Sequence, residues 1–186
     1  MQVIADNLTI SNPVIANSIK NRDKNFFYPL FKRAEEEGYL VDVNLGQLKR
    51  DIPDVVKFLF GLINEFKDIK IVIDTINPTT IEEILKYCQT PPILNAFSKD
   101  DFKLKELLPI AVKNELDIVA LVMDKSIPLT VDEKINLAIE LVDIFTQNGI
   151  PYSKIILDPV VAPIGWENGA MYNRNNLEFL KLVKEA

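Results

Sequence analysis

The residues of this sequence best able to do chemistry are carboxylates and amides. Asp74 stands in Ile73-Asp74-Thr75, Asn95 in Leu94-Asn95-Ala96 and Asp158 in Leu157-Asp158-Pro159, each closing a short apolar run. Two carboxylates and a primary amide brought to one place suit a flat heterocycle with an amino-pyrimidinone edge. A carboxylate accepts two parallel N–H bonds, from a ring N–H and an exocyclic amine, while an amide both donates and accepts. An enclosed polar edge demands such partners, because each group left unpaired costs about 1–3 kcal/mol.

Other chemistries are excluded by what is missing. The 186 residues include no histidine, which removes imidazole bases, Ser-His and Cys-His pairs and most zinc sites. The lone cysteine, Cys88, forms no disulfide or thiolate cluster within one chain, and a reducing cytoplasm is the expected setting. No phosphate loop or dinucleotide glycine fingerprint is present; its natural place, after the first apolar run, reads Asp6-Asn7-Leu8-Thr9. No metal and no bound nucleotide are therefore expected. The net charge of −6, with no basic block, argues against nucleic acid as a partner. At 48% hydrophobic and 26% charged, the composition is that of a globular domain. No apolar run reaches the ~18 residues that cross a bilayer. No basic region followed by an apolar stretch opens the chain, so neither a membrane anchor nor a signal peptide is expected.

The elements that must position these residues alternate in type. Helices are predicted over 13–21 and 25–37, the second stopped by Gly38, and a strand over 39–43. A helix over 53–66, a strand over 70–74 and a helix over 81–87 follow, with Thr79 and Thr80 before the last and Glu82 and Glu83 in its first turn. The pattern continues with a strand over 93–95, a helix over 99–114 capped by Ser98, and a strand over 116–121. Then come a helix over 131–148 between Thr130 and Gly149, a strand over 154–158, and a helix starting at Asn173 or Asn175. With the short run Val3-Ile4-Ala5 this makes six β/α units, which implies parallel strands with helices packed outside. Asp6, Asp42, Asp74, Asn95 and Asp158, with Asp124, are placed at or just past strand ends. Such recurrence favours a TIM-type (β/α) barrel, whose strand ends converge on one mouth, over an open sheet that uses only its switch point. The expectation is a single α/β domain over 1–186, a barrel truncated to six of eight units and incomplete at its C-terminal side.

The motifs resemble a known family over nearly the whole chain. Val41-Asp42-Val43-Asn44-Leu45-Gly46 resembles the D-x-N-x-G stretch after the second strand of the methyltetrahydrofolate:corrinoid methyltransferases. Ile73-Asp74-Thr75-Ile76-Asn77-Pro78 is similar to their third strand end, and Ile93-Leu94-Asn95-Ala96-Phe97-Ser98 to the I-N-S segment of the fourth. Leu107-Leu108-Pro109-Ile110-Ala111 resembles the helix that follows. Val122-Met123-Asp124, Ile127-Pro128 and Gly149-Ile150-Pro151 match the fifth unit, and Asp158-Pro159-Val160-Val161-Ala162-Pro163 the D-P-x-x-x-P loop of the sixth. The resemblance implies that Asp74, Asn95 and Asp158 are the pterin-ring ligands, with Asp42 and Asn44 in the substrate-binding set. Dihydropteroate synthases share the trio, but their N-x-T-P-D-S-F and G-G-E-S-T-R-P loops are missing.

The implied reaction moves the N5-methyl group of methyltetrahydrofolate, or a related methylpterin, to a corrinoid carried by a partner protein. The departing amine must gain positive charge, which hydrogen bonding to a protonated N5 assists; the family uses an asparagine after the seventh strand for this, and Asn95, which the resemblance places on the same ring, is the catalytic candidate here without that proton-transfer role. Six units against the eight a barrel needs would leave open edges. A homodimer, or a partner completing the barrel, is expected, with weak methyl transfer by this chain alone. The sequence departs from the family at its opening, where Ala5-Asp6-Asn7-Leu8-Thr9 replaces G-E-R-x-N, and at Ser126, which replaces a glycine.

Two other readings stay open. One is a pterin-binding or assembly protein without turnover. The other is a metal-dependent lyase with Asp42, Asp74 and Asp158 as oxygen ligands of Mg²⁺. Lys125 as a Schiff-base former has no feature to separate it from a solvated charge. The segment from Gly165 to Tyr172, rich in glycine and aromatics, reads equally as a lid or partner contact and as a surface loop.

Overall fold

The computed structural model describes residues 3–46 and 51–185. The chain divides into two compact units, Met1–Asn95 and Ala96–Ala186. In the first, β1 (Ile4–Thr9), β2 (Leu40–Asn44), β3 (Ile71–Asp74) and β4 (Ile93–Phe97) alternate with α1 (Pro13–Lys20), α2 (Lys24–Glu37), α3 (Ile52–Ile63) and α4 (Pro78–Leu85). The second takes over within β4 and continues through α5 (Leu108–Lys113), β5 (Asp117–Leu121), α6 (Val131–Gln147), β6 (Ile155–Asp158) and α7 (Gly169–Glu185).

The strand pairs within each unit are parallel. β1 pairs with β2, β2 with β3 and β3 with β4 in the first unit, and β5 pairs with β6 in the second. Strands covered on both faces are apolar nearly throughout, as Ile71-Val72-Ile73 illustrates. The core of the first unit is built from Phe27, Phe31, Val43, Val56, Phe60, Val72, Ile73 and Ile81, all buried. That of the second is built from Phe97, Leu108, Ile118, Ala120, Leu141, Phe145 and Phe179. Phe97 and Phe145 meet edge to face at 5.8 Å.

Local signals set the helix ends. Gly38 stops α2 in the left-handed conformation, φ +68°, which a side chain would disfavour. Asn12 and Asp23 cap α1 and α2 by accepting the N–H groups of Val14 and Phe26. At α6 the expected cap is a complete capping box: Thr130 Oγ1 accepts from Glu133 N–H at 3.2 Å and the Glu133 carboxylate accepts from Thr130 N–H at 3.0 Å. Those backbone donors hold Glu133 below its ordinary carboxylate value. Thr130→Ala is expected to lower stability by about 1 kcal/mol, read as a lower urea midpoint at unchanged slope.

Some boundaries differ from the sequence expectation. Asn77, not Thr79 or Thr80, caps α4, so the helix starts at Pro78 and no acidic side chain falls in its first turn. After β4 the cap is Asp100, whose carboxylate accepts Lys103 N–H at 3.0 Å, rather than Ser98. The backbone then runs as a π-helix over Lys103–Leu107 before α5. Pro109 lacks the N–H that would bond the Lys105 carbonyl, and the wider turn absorbs the loss. α7 begins at Gly169, ahead of both expected starts, Asn173 and Asn175. A Cβ on Gly169 would lie 2.2 Å from the Pro163 carbonyl oxygen, so only glycine fits this close approach.

Candidate functional site

Register gathers the polar residues of the first unit. Thr9 is the neighbour of Asn44, Asn44 of Asp74, and Asp74 of Asn95, so one row across four strands carries two amides, a carboxylate and a hydroxyl. Side chains in one row point to one face of a sheet. The Asn44 amide donates to Asp74 Oδ2 at 2.7 Å, and its oxygen accepts Gly46 N–H at 3.0 Å. Asn44 therefore fixes the direction of the Asp74 carboxylate. The Thr75 hydroxyl donates to the Gly46 carbonyl at 3.2 Å and ties the following loop to the same place. Asp74 and Asn95 are both half-buried, reachable by a ligand and shielded from bulk water.

Asp42 lies two residues before Asn44 on the same face. The sequence placed it at the strand end; it sits instead in the middle of β2, opposite Val72, with 2% of its surface exposed. Both its carboxylate oxygens are buried and make no well-formed hydrogen bond. Burial, then the charges of Asp74 and Asp6, push its pKa up to about 7, and the Asn95 amide beside it offsets part of this. Asp6 reaches Asp42 because β1 is irregular. Ala5 pairs with Val41 and Leu8 with Val43, so Asp6 and Asn7 together face the one residue Asp42. This is a bulge inside β1, and it replaces the expected strand end at Asp6. Asn95 also lies within its strand rather than at its end, in register with Asp74.

Asp158 closes β6 in the second unit, half-buried. Its carboxylate accepts Val160 N–H at 2.8 Å, and its carbonyl accepts Val122 N–H at 2.8 Å. Val160 has φ +61°, a conformation costly for a β-branched residue. Beside this strand end, Lys125 and Trp166 line a cleft of about 580 Å³ with Val160, Val161 and Tyr172. Trp166 is exposed, and the last residues of the Gly165-to-Tyr172 segment have become the first turn of α7.

The sequence reading passed over Lys134 and Asn176 and took Asn173 only as a helix start; all three turn out to surround the chain after Asp158. Lys134 donates to the Pro159 carbonyl, Asn176 to the Val160 carbonyl and Asn173 to the Ala162 carbonyl. A lysine on the buried side of an amphipathic helix was the available signal. Burial pushes the Cys88 thiol up to about 12, so it offers no thiolate near neutrality. Among the described residues, no group of three or more acidic, cysteine or histidine side chains is arranged to hold a metal ion. No described helix is long and apolar enough to cross a membrane.

Comparisons with known proteins bear on the fold and the family. A methylcorrinoid:tetrahydrofolate methyltransferase of Eubacterium limosum is 24% identical over 177 residues, which cover 93% of this chain and 65% of that protein. The chain thus spans about two thirds of the length of this curated relative. Dihydropteroate synthase of Xanthomonas albilineans, solved with 4-aminobenzoic acid, superposes with a TM-score of 0.59 at 14% identity over 85% of this chain and 59% of its own. A solved protein of Mycobacterium tuberculosis superposes with a TM-score of 0.60 at 14% identity over 97% of this chain and 69% of its own. These likenesses show the fold, a parallel β/α barrel of which this sequence contributes six units. Residues 41–186 match the family of pterin binding enzymes. With more than half its length matched, this chain belongs to the pterin binding enzyme family.

Proposed function

We propose that this protein is a single pterin-binding domain that takes a reduced pterin or folate, with Asp74, Asn95 and Asp158 on the ring and Asp42 and Asn44 behind them. The observation that carries the reading is the row in which the Asn44 amide holds the Asp74 carboxylate at 2.7 Å while Asn95 stands next in register. A carboxylate with a fixed direction and an amide beside it match the N–H and exocyclic amine of a pterin edge. Asp158 enters as the third contact through the Asp158-Pro159 motif.

The reaction we assign is methyl transfer between N5 of a tetrahydrofolate and a corrinoid carried by a separate protein. Its support is the likeness to a methylcorrinoid:tetrahydrofolate methyltransferase. The two directions share one transition state, so the same residues serve either. The protein's part is to hold the ring and orient N5. Asn95, an amide beside the ring, is the residue we assign to hydrogen-bond the reacting edge. Exposed apolar side chains on β6 and α7, among them Ile156, Leu177 and Leu180, favour association with a second copy or a completing partner.

Titration of methyltetrahydrofolate into wild type, Asp74→Ala and Asp158→Ala tests the binding. Each substitution is expected to weaken affinity by about 5- to 150-fold, the equivalent of one lost buried partner. Equal affinity in all three, or no binding by any, overturns the reading. A methyl-transfer assay against a reduced corrinoid, with sizing of the protein, tests the reaction and the association.

A further inference from the structure

We propose that Lys134 is a positioning residue for Asp158, holding the loop behind the carboxylate from inside the helix layer and facing it with a buried positive charge. The proposal rests on the reading of Asp158 as a pterin contact. Lys134 lies in the first turns of α6 with none of its surface exposed, and its Nζ donates to the Pro159 carbonyl at 3.0 Å. A lysine is rarely enclosed in this way, because its ammonium must give up its water. A methionine would fill the same volume without that cost. What only the lysine supplies is charge and a strong donor, and both are spent on the residues that carry Asp158.

The surroundings show a loop that needs holding. Val160, at φ +61°, is strained, and the strain aims its N–H at the Asp158 carboxylate at 2.8 Å. Asn176, 5% exposed, donates to the Val160 carbonyl at 2.9 Å. Asn173 accepts Ala162 N–H at 2.9 Å and donates to the Ala162 carbonyl at 2.8 Å. Three side chains from α6 and α7 thus clamp the carbonyls of Pro159, Val160 and Ala162. Among the three, Lys134 alone carries charge. Asp158 is the charged group that acts on it: burial lowers the Lys134 pKa from its ordinary value, and the Asp158 carboxylate opposes that lowering. The ammonium is present below the lowered pKa and lost as pH rises through it.

The test uses the full chain and methyltetrahydrofolate. Wild type, Lys134→Met, Asp158→Ala and the double variant are titrated from pH 7 to 10.5, with thermal unfolding alongside. Lys134→Met is expected to unfold no earlier than wild type yet to bind about tenfold more weakly at pH 7. Its deficit should shrink at high pH, where wild type loses its charge and keeps only the neutral amine's bond to the Pro159 carbonyl; the affinity ratio cancels any titration of the ligand. The double variant should bind no worse than Asp158→Ala alone. A deficit that is independent of pH, or one that adds in full to that of Asp158→Ala, overturns the proposal. If Lys134→Met does not fold, the deficit of Asp158→Ala carries the test, since it too should shrink as Lys134 deprotonates, and a constant deficit overturns it. If wild type binds no pterin, the functional reading fails by itself. Hydrogen exchange at the Val160 amide then decides: about tenfold faster exchange in Lys134→Met upholds the clamp, and unchanged exchange refutes it.

Discussion

At pH 8, Asp42→Asn is expected to be more stable than wild type by up to about 4 kcal/mol, and the two proteins are expected to converge below pH 4. Asp42 titrates at about 7 in the fold against an ordinary 3.8, chiefly because burial disfavours its charge and secondarily because Asp74 and Asp6 repel it. Between these values the folded protein binds a proton that the unfolded chain has released. Stability therefore falls as pH rises from about 4 to about 7 and is flat above. The gap corresponds to at most about 4 kcal/mol. Asparagine keeps the shape and removes the charge, so its advantage opens over the same window. Urea unfolding of both proteins at pH 4, 6 and 8 checks this, and equal midpoints at pH 8 would refute it. The consequence bears on function. Asparagine would serve the fold better than this buried acid, so the fold does not account for the carboxyl. It faces the row that holds Asp74 and Asn95, which is where a ligand would make use of it.

Alternation, parallel strands and the barrel class were legible in the sequence, because each unit repeats a β-branched run closed by a polar residue and then an amphipathic helix. Legibility failed where a residue's role depends on its cross-strand neighbours. Asp42 resembles the other strand-end acids in sequence, and only the pairing of β2 with β3 reveals that it stops two residues short of the row. The bulge at Asp6 and Asn7 has no local signature, since neither glycine nor proline marks it. Caps were ambiguous where several cap-forming residues stand together, as at Asn77, Thr79 and Thr80, and at Ser98 and Asp100. The start of α7 was missed because its first turn, Gly169-Ala170-Met171-Tyr172, offers no polar cap and no apolar stripe. Asp74 and Asp158 were placed correctly at the ends of their strands, and Asn95 on its strand though not at its end. The bonds of Asn173 and Asn176 to the loop after Asp158 were not legible, because an amide that bonds a distant carbonyl looks like any surface amide.

The largest loss of stability in the first unit is expected from Phe27→Ala, at about 3–5 kcal/mol. Phe27 has none of its surface exposed. It meets Phe26 edge on at 5.1 Å, stacks with Phe31 at 6.2 Å and meets Phe58 of α3 edge on at 5.9 Å. Phe31 in turn meets Phe66 at 6.3 Å, and the Arg22 guanidinium lies 5.7 Å from the Phe58 ring centre. Phe27 is thus the centre of an aromatic cluster that joins α2 to α3, and the loss combines the ring's transfer from water with the cavity left among rings that cannot collapse inward. A domain is stable by about 5–15 kcal/mol in all, so the variant should sit near the edge of folding. Phe27→Leu keeps most of the volume and should cost about 1.5 kcal/mol or less. Denaturant midpoints of the three proteins give the order directly. α2 also packs on β2, the strand that carries Asp42 and Asn44, while the ring contacts of Phe27 are to residues of α2 and α3. Under conditions where Phe27→Leu is fully folded, its affinity for methyltetrahydrofolate should therefore match that of wild type. A weakened affinity there would mean that the cluster sets the position of the Asn44–Asp74 pair and not only the stability of the unit.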